Sequence, residues 1–260
     1  MFLLFITSVS AQVENEVAPP YNIKTISFVQ NNKNVVPIFP LGDGFQLQFD
    51  DLFGNEADYY YEIIHCDYNW VPTNIPKTDY LQGFDNQRIQ DYSNSFNTLQ
   101  MYSHYRLSIP NQLTQLRISG NYVLKILNED KEVVFSRKFI LYEDLVTVPI
   151  QVKRARTVDN LEFKQNLEFT IKTNSINFQN PLKNVKVALL QNGKFNTAIT
   201  NVAPQYTIGN DLVYKYDTQT QFWAGNEFLY FDNKDIRSAS NNVARIDSNG
   251  TLYNSYLFTN

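Results

Sequence analysis

The residue types in this chain best suited to chemistry stand together at His65-Cys66-Asp67. An imidazole beside a thiol and a carboxylate could hold zinc, or pair a thiolate nucleophile with its base. A strand, however, sends neighbouring side chains to opposite faces, so His65 and Cys66 cannot both point at one ion. The only other histidine, His104, is remote in sequence, and the single cysteine leaves no CxxC spacing for a metal or redox pair. Asp50-Asp51 and Glu129-Asp130 read as solvated loop carboxylates, because glycosidase pairs face each other from separate elements. No GxSxG, HExxH, P-loop or dinucleotide fingerprint occurs. The expectation is a chain with no catalytic residue, no metal site, no cofactor and no small-molecule substrate.

Composition narrows the class further. The 260 residues carry a net charge of −4, and only 18% are charged. Nucleic-acid binding is excluded as a main function, since phosphate recognition draws on clustered Lys and Arg. The one basic cluster, Lys153-Arg154-Ala155-Arg156, reads as a solvated loop between strands. Aromatic residues make up 15%, with 17 Tyr and 19 Phe beside abundant Val, Ile, Thr and Asn. That mixture suits half-buried strands joined by polar turns.

The elements that must position these residues are therefore strands. Phe45, Leu47 and Phe49 alternate with Gln46, Gln48 and Asp50. From 161 to 172, Leu161, Phe163, Leu167, Phe169 and Ile171 form one face, with Gln165 the lone exception, and Glu162, Lys164, Asn166, Glu168, Thr170 and Lys172 the other. Val185, Val187 and Leu189 repeat the period, as do Leu212, Tyr214 and Tyr216. Asn192-Gly193 and Asn249-Gly250 mark tight turns, since both residues tolerate positive φ. Helix is confined to a turn or two around Lys77 to Gly83 and a second possible turn near Asn86 to Tyr92.

Residues 1–11, MFLLFITSVSA, read as a secretory signal peptide with Val9 and Ala11 placed for cleavage before Gln12. No later run reaches the roughly 18 apolar residues of a spanning helix. A linker at 12–22 precedes a first domain at 23–144, which carries a long aromatic-rich insertion at 65–106. The second domain is expected over 145–260, continuing beyond Asn260. The expected fold class is all-β: two tandem immunoglobulin-like β-sandwich domains with little helix.

Aromatic residues crowd the insertion. Tyr59-Tyr60-Tyr61 leads into Tyr68, Trp70, Tyr80, Phe84, Tyr92, Phe96, Tyr102 and Tyr105, with polar companions that suit a folded excursion held by side-chain hydrogen bonds. Several segments then carry a resemblance, in order along the chain. They are Phe49-Asp50-Asp51-Leu52, His65-Cys66-Asp67 with Trp70, Tyr80-Leu81-Gln82-Gly83-Phe84, Tyr92 with Ser95-Phe96-Asn97-Thr98, and His104-Tyr105-Arg106-Leu107 before Ile109-Pro110-Asn111. Ser119-Gly120-Asn121-Tyr122, Leu190-Gln191-Asn192 and Gly225-Asn226-Glu227-Phe228 with Tyr230-Phe231-Asp232 continue it. This pattern resembles the type IX secretion system plug protein family. One departure is Leu229, where the family commonly has Arg before the Tyr-Phe pair.

The resemblance implies a non-enzymatic periplasmic protein, exported by a cleaved signal peptide and associated with the outer membrane without spanning it. It would seal the periplasmic opening of the large translocon barrel when no substrate occupies it, with the barrel subunit as partner. The residues it marks for interaction or structure are His65, Asp67, Trp70, Tyr80, Phe84, Asn97, His104, Arg106, Asn226, Glu227 and Tyr230. The alternative from another class is an exported glycan-binding β-sandwich module, or an accessory domain of an exported hydrolase, with Tyr and Trp rings stacking on sugars.

Overall fold

The computed structural model describes residues 12–173, 178–225, 230–236, 238–239 and 242–258. The signal peptide expected at 1–11 lies outside the described residues, as do Asn226 and Glu227. Contacts divide the chain into two compact units, one of Met1–Gln151 with Glu168–Lys215 and one of Val152–Leu167 with Tyr216–Asn260.

In the larger unit the strands begin with β1 (Ile23–Gln30), β2 (Lys33–Asn34), β3 (Ile38–Pro40), β4 (Phe45–Asp51) and β5 (Tyr60–Cys66). The short helix α1 (Lys77–Tyr80) leads to β6 (Leu81–Gly83), β7 (Asp91–Asn94), β8 (Ser103–Ile109), β9 (Thr114–Leu116), β10 (Gly120–Leu127) and β11 (Val133–Tyr142). One sheet has the order β2-β1-β4-β8-β7 and another the order β3-β11-β10-β5, while β6 pairs with β9. The fold is all-β. Between β5 and β8 the chain supplies α1, β6 and the edge strand β7, and residues 86–92 form a bridge and the start of that strand rather than a helical turn; residues 65–66 and 103–106 belong to β5 and β8 themselves.

Side-chain alternation explains why these strands pack as two layers. In β4 and β8 every second residue is buried: Phe45, Leu47 and Phe49 on one, Tyr105, Leu107 and Ile109 on the other. From the second sheet Ile63, Tyr122, Leu124, Phe135 and Phe139 meet them in a single core. Rings stack through it, Phe39 on Phe45 at 4.2 Å, Phe49 on Tyr105 at 5.1 Å and Tyr122 on Phe139 at 5.2 Å between centroids. Each buried ring of this size contributes about 2–3 kcal/mol by burial alone.

Residues 14–17 lie along the outer face of the second sheet. Glu14 N–H donates to the Trp70 carbonyl at 2.8 Å, Ser136 N–H to the Val17 carbonyl at 3.2 Å, and Lys138 N–H to Glu16 Oε1 at 2.7 Å. Lys125 closes an ion pair with Glu14 at 3.1 Å. Cys66 faces this side and is buried, with its thiol pushed up to about 11, by burial first and by Glu14 and Asp67 second.

Further along the chain come β12 (Ile150–Arg154), β13 (Lys164–Ile171), β14 (Ala188–Leu189), β15 (Ile199–Thr200), β16 (Tyr206–Ile208), β17 (Asp211–Tyr214), β18 (Gln221–Trp223), β19 (Val243–Asn249) and β20 (Leu252–Leu257). The basic cluster is not a free loop. Lys153 and Arg154 lie in β12, and Arg154 donates to the Leu161 carbonyl at 2.7 Å and pairs with Glu162. Phe169–Ile171 pair with β17, whose partner on the other side is β16, and Lys164–Asn166 pair with β18. The two-faced alternation expected for 161–172 does not hold. Phe169 and Ile171 are buried, but so are Asn166 and Glu168 from the other set, while Phe163 is exposed. Asn166 is retained inside because its amide donates to the Tyr216 carbonyl at 2.7 Å and accepts from Thr220 Oγ1 at 3.1 Å. Val187 and Leu189 keep the expected alternation, and Asn192 and Gly193 both take positive φ at their turn.

Candidate functional site

His65, Tyr80 and Ser119-Gly120-Asn121-Tyr122 converge in the core. His65 points inward from β5, and its Nδ1 lies 2.8 Å from Thr73 Oγ1. Its ring packs edge-on to Tyr122 at 5.0 Å and beside Tyr80 at 5.5 Å, while the Tyr80 hydroxyl donates to the Ile63 carbonyl at 3.3 Å. Gly120 (φ +152°) sits against the imidazole, so that a Cβ there would fall 2.4 Å from His65 Nε2. Nε2 has no hydrogen-bond partner of good geometry, although the Ser119 backbone lies close enough to favour the protonated ring slightly. Burial dominates and lowers the His65 pKa below its usual value. The ring is a neutral packing element.

This gives a signed pH dependence. Between the folded pKa of His65 and its unfolded value of about 6.5, the unfolded chain binds the extra proton, so stability rises with pH there. The contribution is full above about pH 6.5 and is lost as pH falls through that window. Urea unfolding at pH 7.5 and 5.5 should show a loss of stability on acidification in the wild type and a smaller loss in His65→Phe. Equal losses in the two proteins would show that His65 is not the titrating group.

Asp51 is the residue that the sequence misplaces. It shares the parity of Phe45, Leu47 and Phe49 in β4 and is therefore turned inward, fully buried rather than solvated. Oδ1 accepts from Asn22 Nδ2 at 2.7 Å and from Phe53 N–H at 3.0 Å, and Oδ2 accepts from the Tyr59 hydroxyl at 2.9 Å. Burial and this carboxylate hold the Tyr59 hydroxyl firmly protonated. The alternation itself is the signal that could have found Asp51.

Asp67 and Trp70 build a turn. Asp67 Oδ1 accepts from the N–H groups of Asn69 and Val71 at 2.8 and 2.9 Å, and its carbonyl accepts from Trp70 N–H at 3.0 Å. Trp70 is held at φ +64°, an unusual conformation for a bulky residue. Its indole is half-buried: Lys138 Nζ stands 4.6 Å from the ring centre and Phe195 packs edge-on at 5.3 Å. The Tyr68 hydroxyl donates to the Val187 carbonyl at 2.5 Å and accepts from Asn201 N–H at 3.2 Å. The turn thus seats the β14–β15 hairpin, and a cavity of about 490 Å³ between them is lined by Glu16, Asn69, Trp70, Lys138, Leu190 and Phe195 among others.

His104 and Arg106 lie on the outward face of β8. His104 Nδ1 is 2.6 Å from Asp50 Oδ1, and Ser93 on β7 is its direct cross-strand neighbour. This is the nearest approach to a nucleophilic triad in the described residues. Ser93 Oγ instead accepts from Arg106 Nη2 at 3.3 Å, and Arg106 Nη1 reaches Asp91 at 3.4 Å. No hydrogen bond joins His104 to Ser93, so the general-base contact that a serine nucleophile needs is not made.

The remaining marked residues do not converge. Phe84 is exposed, with its N–H on the Leu113 carbonyl at 2.8 Å, beyond one end of β8. Asn97 (φ +54°) tips the loop at the other end, between β7 and β8. Tyr230 is exposed, and its carbonyl accepts from Asn242 Nδ2 at 2.6 Å. Among the described residues no three His, Cys, Asp or Glu side chains group as metal ligands, and no helix is long and apolar enough to cross a membrane.

Comparison with known proteins gives these geometries a context. Residues 23–143 match the family model described as "Type 9 secretion system plug protein 1st domain". No curated protein matches the chain. A solved structure, the crystal structure of a hypothetical protein from Parabacteroides merdae ATCC 43184, is similar to it at 26% identity and a TM-score of 0.81, over 93% of this chain. This chain spans 62% of the length of that protein.

Proposed function

Because this chain carries the first domain of the type 9 secretion system plug protein family over residues 23–143, we propose that it seals the translocon of that system. It would dock at the periplasmic opening of the outer-membrane barrel when no substrate fills the lumen, and leave or shift when one does. Its role lies in type IX secretion. The family match is the observation that carries this reading, and the use of its chemistry-bearing residues as scaffold supports a non-catalytic role. His65 is buried and neutral, Cys66 is buried with a raised pKa, and Asp51 and Asp67 are occupied as hydrogen-bond acceptors. The proposed location is the periplasm beside the outer membrane, reached through the signal peptide at 1–11. The glycan-binding alternative draws on Trp70, whose ring already carries Lys138 and Phe195.

Outer-membrane barrels of up to about 36 strands are wide enough to leak solutes when open. Deleting the protein should raise entry of a large, normally excluded antibiotic in cells that make the barrel, and leave entry unchanged in cells that lack it. Unchanged entry in both strains would reject the seal.

A further inference from the structure

Two loops at one end of the first sandwich expose large apolar side chains side by side. Phe53 is 63% exposed, Phe96 92%, Leu99 109% and Met101 65%. Phe53 follows β4, and the other three lie between β7 and β8. The loops touch: Gln100 Nε2 donates to the Leu52 carbonyl at 2.9 Å, and a Cβ on Gly54 would stand 3.2 Å from the Met101 Cβ.

The segment is held in shape rather than splayed. Ser95 N–H donates to the Tyr102 carbonyl at 2.9 Å, Tyr102 N–H to Ser95 Oγ at 3.0 Å, and Thr98 Oγ1 to the Gln100 carbonyl at 2.8 Å. Behind it, Glu56 accepts from the Tyr92 hydroxyl at 2.8 Å and from Asn94. Apolar side chains fixed in water without a partner mark an interaction surface. Four of them supply a large part of the roughly 800 Å² that each partner gives to a standard interface.

Charge selects the occupant. Residues 52–55 and 95–102 contain no charged residue, while the segments beneath them hold Asp50, Glu56 and Asp58, with Asp51 buried behind. Asp50 contacts His104 and stands opposite Lys24, and Asp58 pairs with Arg88, but Glu56 and the buried Asp51 have no cationic partner among the described residues, which leaves the region net acidic. An acidic collar repels an anionic lipid surface and a second copy of itself. It complements a recess that is apolar within and basic at its rim.

We propose that the loop tip of Phe53, Phe96, Leu99 and Met101 is a docking surface for an apolar recess rimmed by Lys or Arg on a protein partner. The proposal rests on the plug reading only for the identity of that partner, the barrel subunit. The test combines a photo-crosslinking residue at Leu99 in cells, with Ile208 as an exposed control position, and affinity measurements on the purified full chain with the barrel. A crosslink from Leu99 to the barrel is expected, with binding that weakens as salt rises. The double variant Phe96→Ser with Leu99→Ser should weaken binding by about 100-fold or more at an unchanged melting temperature.

Suppose instead that the crosslink maps to a basic-rimmed recess on a different protein, and the double variant and salt weaken that purified pair equally. The docking surface then stands and the plug reading fails. Crosslinking to lipid, to a second copy or to nothing, or binding by the double variant within about threefold of wild type, overturns the proposal.

Discussion

Asp51→Ala is expected to destabilise the first sandwich by about 3–5 kcal/mol, close to the whole stability of a marginal domain. Three donors converge on this buried carboxylate from three parts of the chain: Asn22 before β1, Phe53 after β4, and Tyr59 before β5. Alanine removes every acceptor at once and leaves the buried Tyr59 hydroxyl without an acceptor. Asp51→Asn keeps one carbonyl oxygen, and the Tyr59 hydroxyl can turn to accept from the new amide, so its cost should be nearer 1–2 kcal/mol. Denaturant midpoints of the two variants check this directly. An alanine variant as stable as the asparagine one would remove Asp51 from its assigned role.

Gly83→Ala should be as damaging by a different route. Gly83 (φ +91°) closes the β6–β9 pair, and a Cβ there would lie 2.0 Å from the Leu113 carbonyl oxygen, which also accepts from Phe84 N–H. Backbone meets backbone, so no side chain can swing away, and a loss of about 3–4 kcal/mol is expected. Gly209 (φ +58°) is the control, since nothing stands within 4 Å of its Cβ position. Alanine there should cost only the left-handed penalty of about 1–2 kcal/mol. Comparable losses at the two sites would mean that strain in φ, rather than the Leu113 contact, sets both.

These residues also show what sequence can and cannot reveal. Period-two alternation identifies β4 because a buried sheet face demands apolar side chains at every second position. The same alternation carries Asp51 inward, but adjacency to Asp50 makes it look like a solvated pair. At 161–172 the pattern misleads, because Asn166 is kept inside by the Tyr216 carbonyl and Thr220, partners about fifty positions away. The placement of His65 and Cys66 on opposite faces was legible from strand geometry alone. That Gly120 must leave room for the imidazole was not, since the two residues meet only across β5 and β10. The type of Trp70 left its place open between core and surface; the turn around Asp67 puts it under a hairpin. The exposed tip was hidden for the same reason, because Phe96 and Leu99 look like any other apolar residues until the fold leaves them uncovered.

A seal must bind the empty barrel more tightly than the occupied one, since a ligand with equal affinity for both states shifts nothing. The most direct measurement is the affinity of the purified chain for the isolated barrel, taken with the lumen empty and again with a substrate arrested in it. Sealing predicts binding to the empty barrel at least about 100-fold tighter; equal affinity for the two states, or no binding to either, would contradict it.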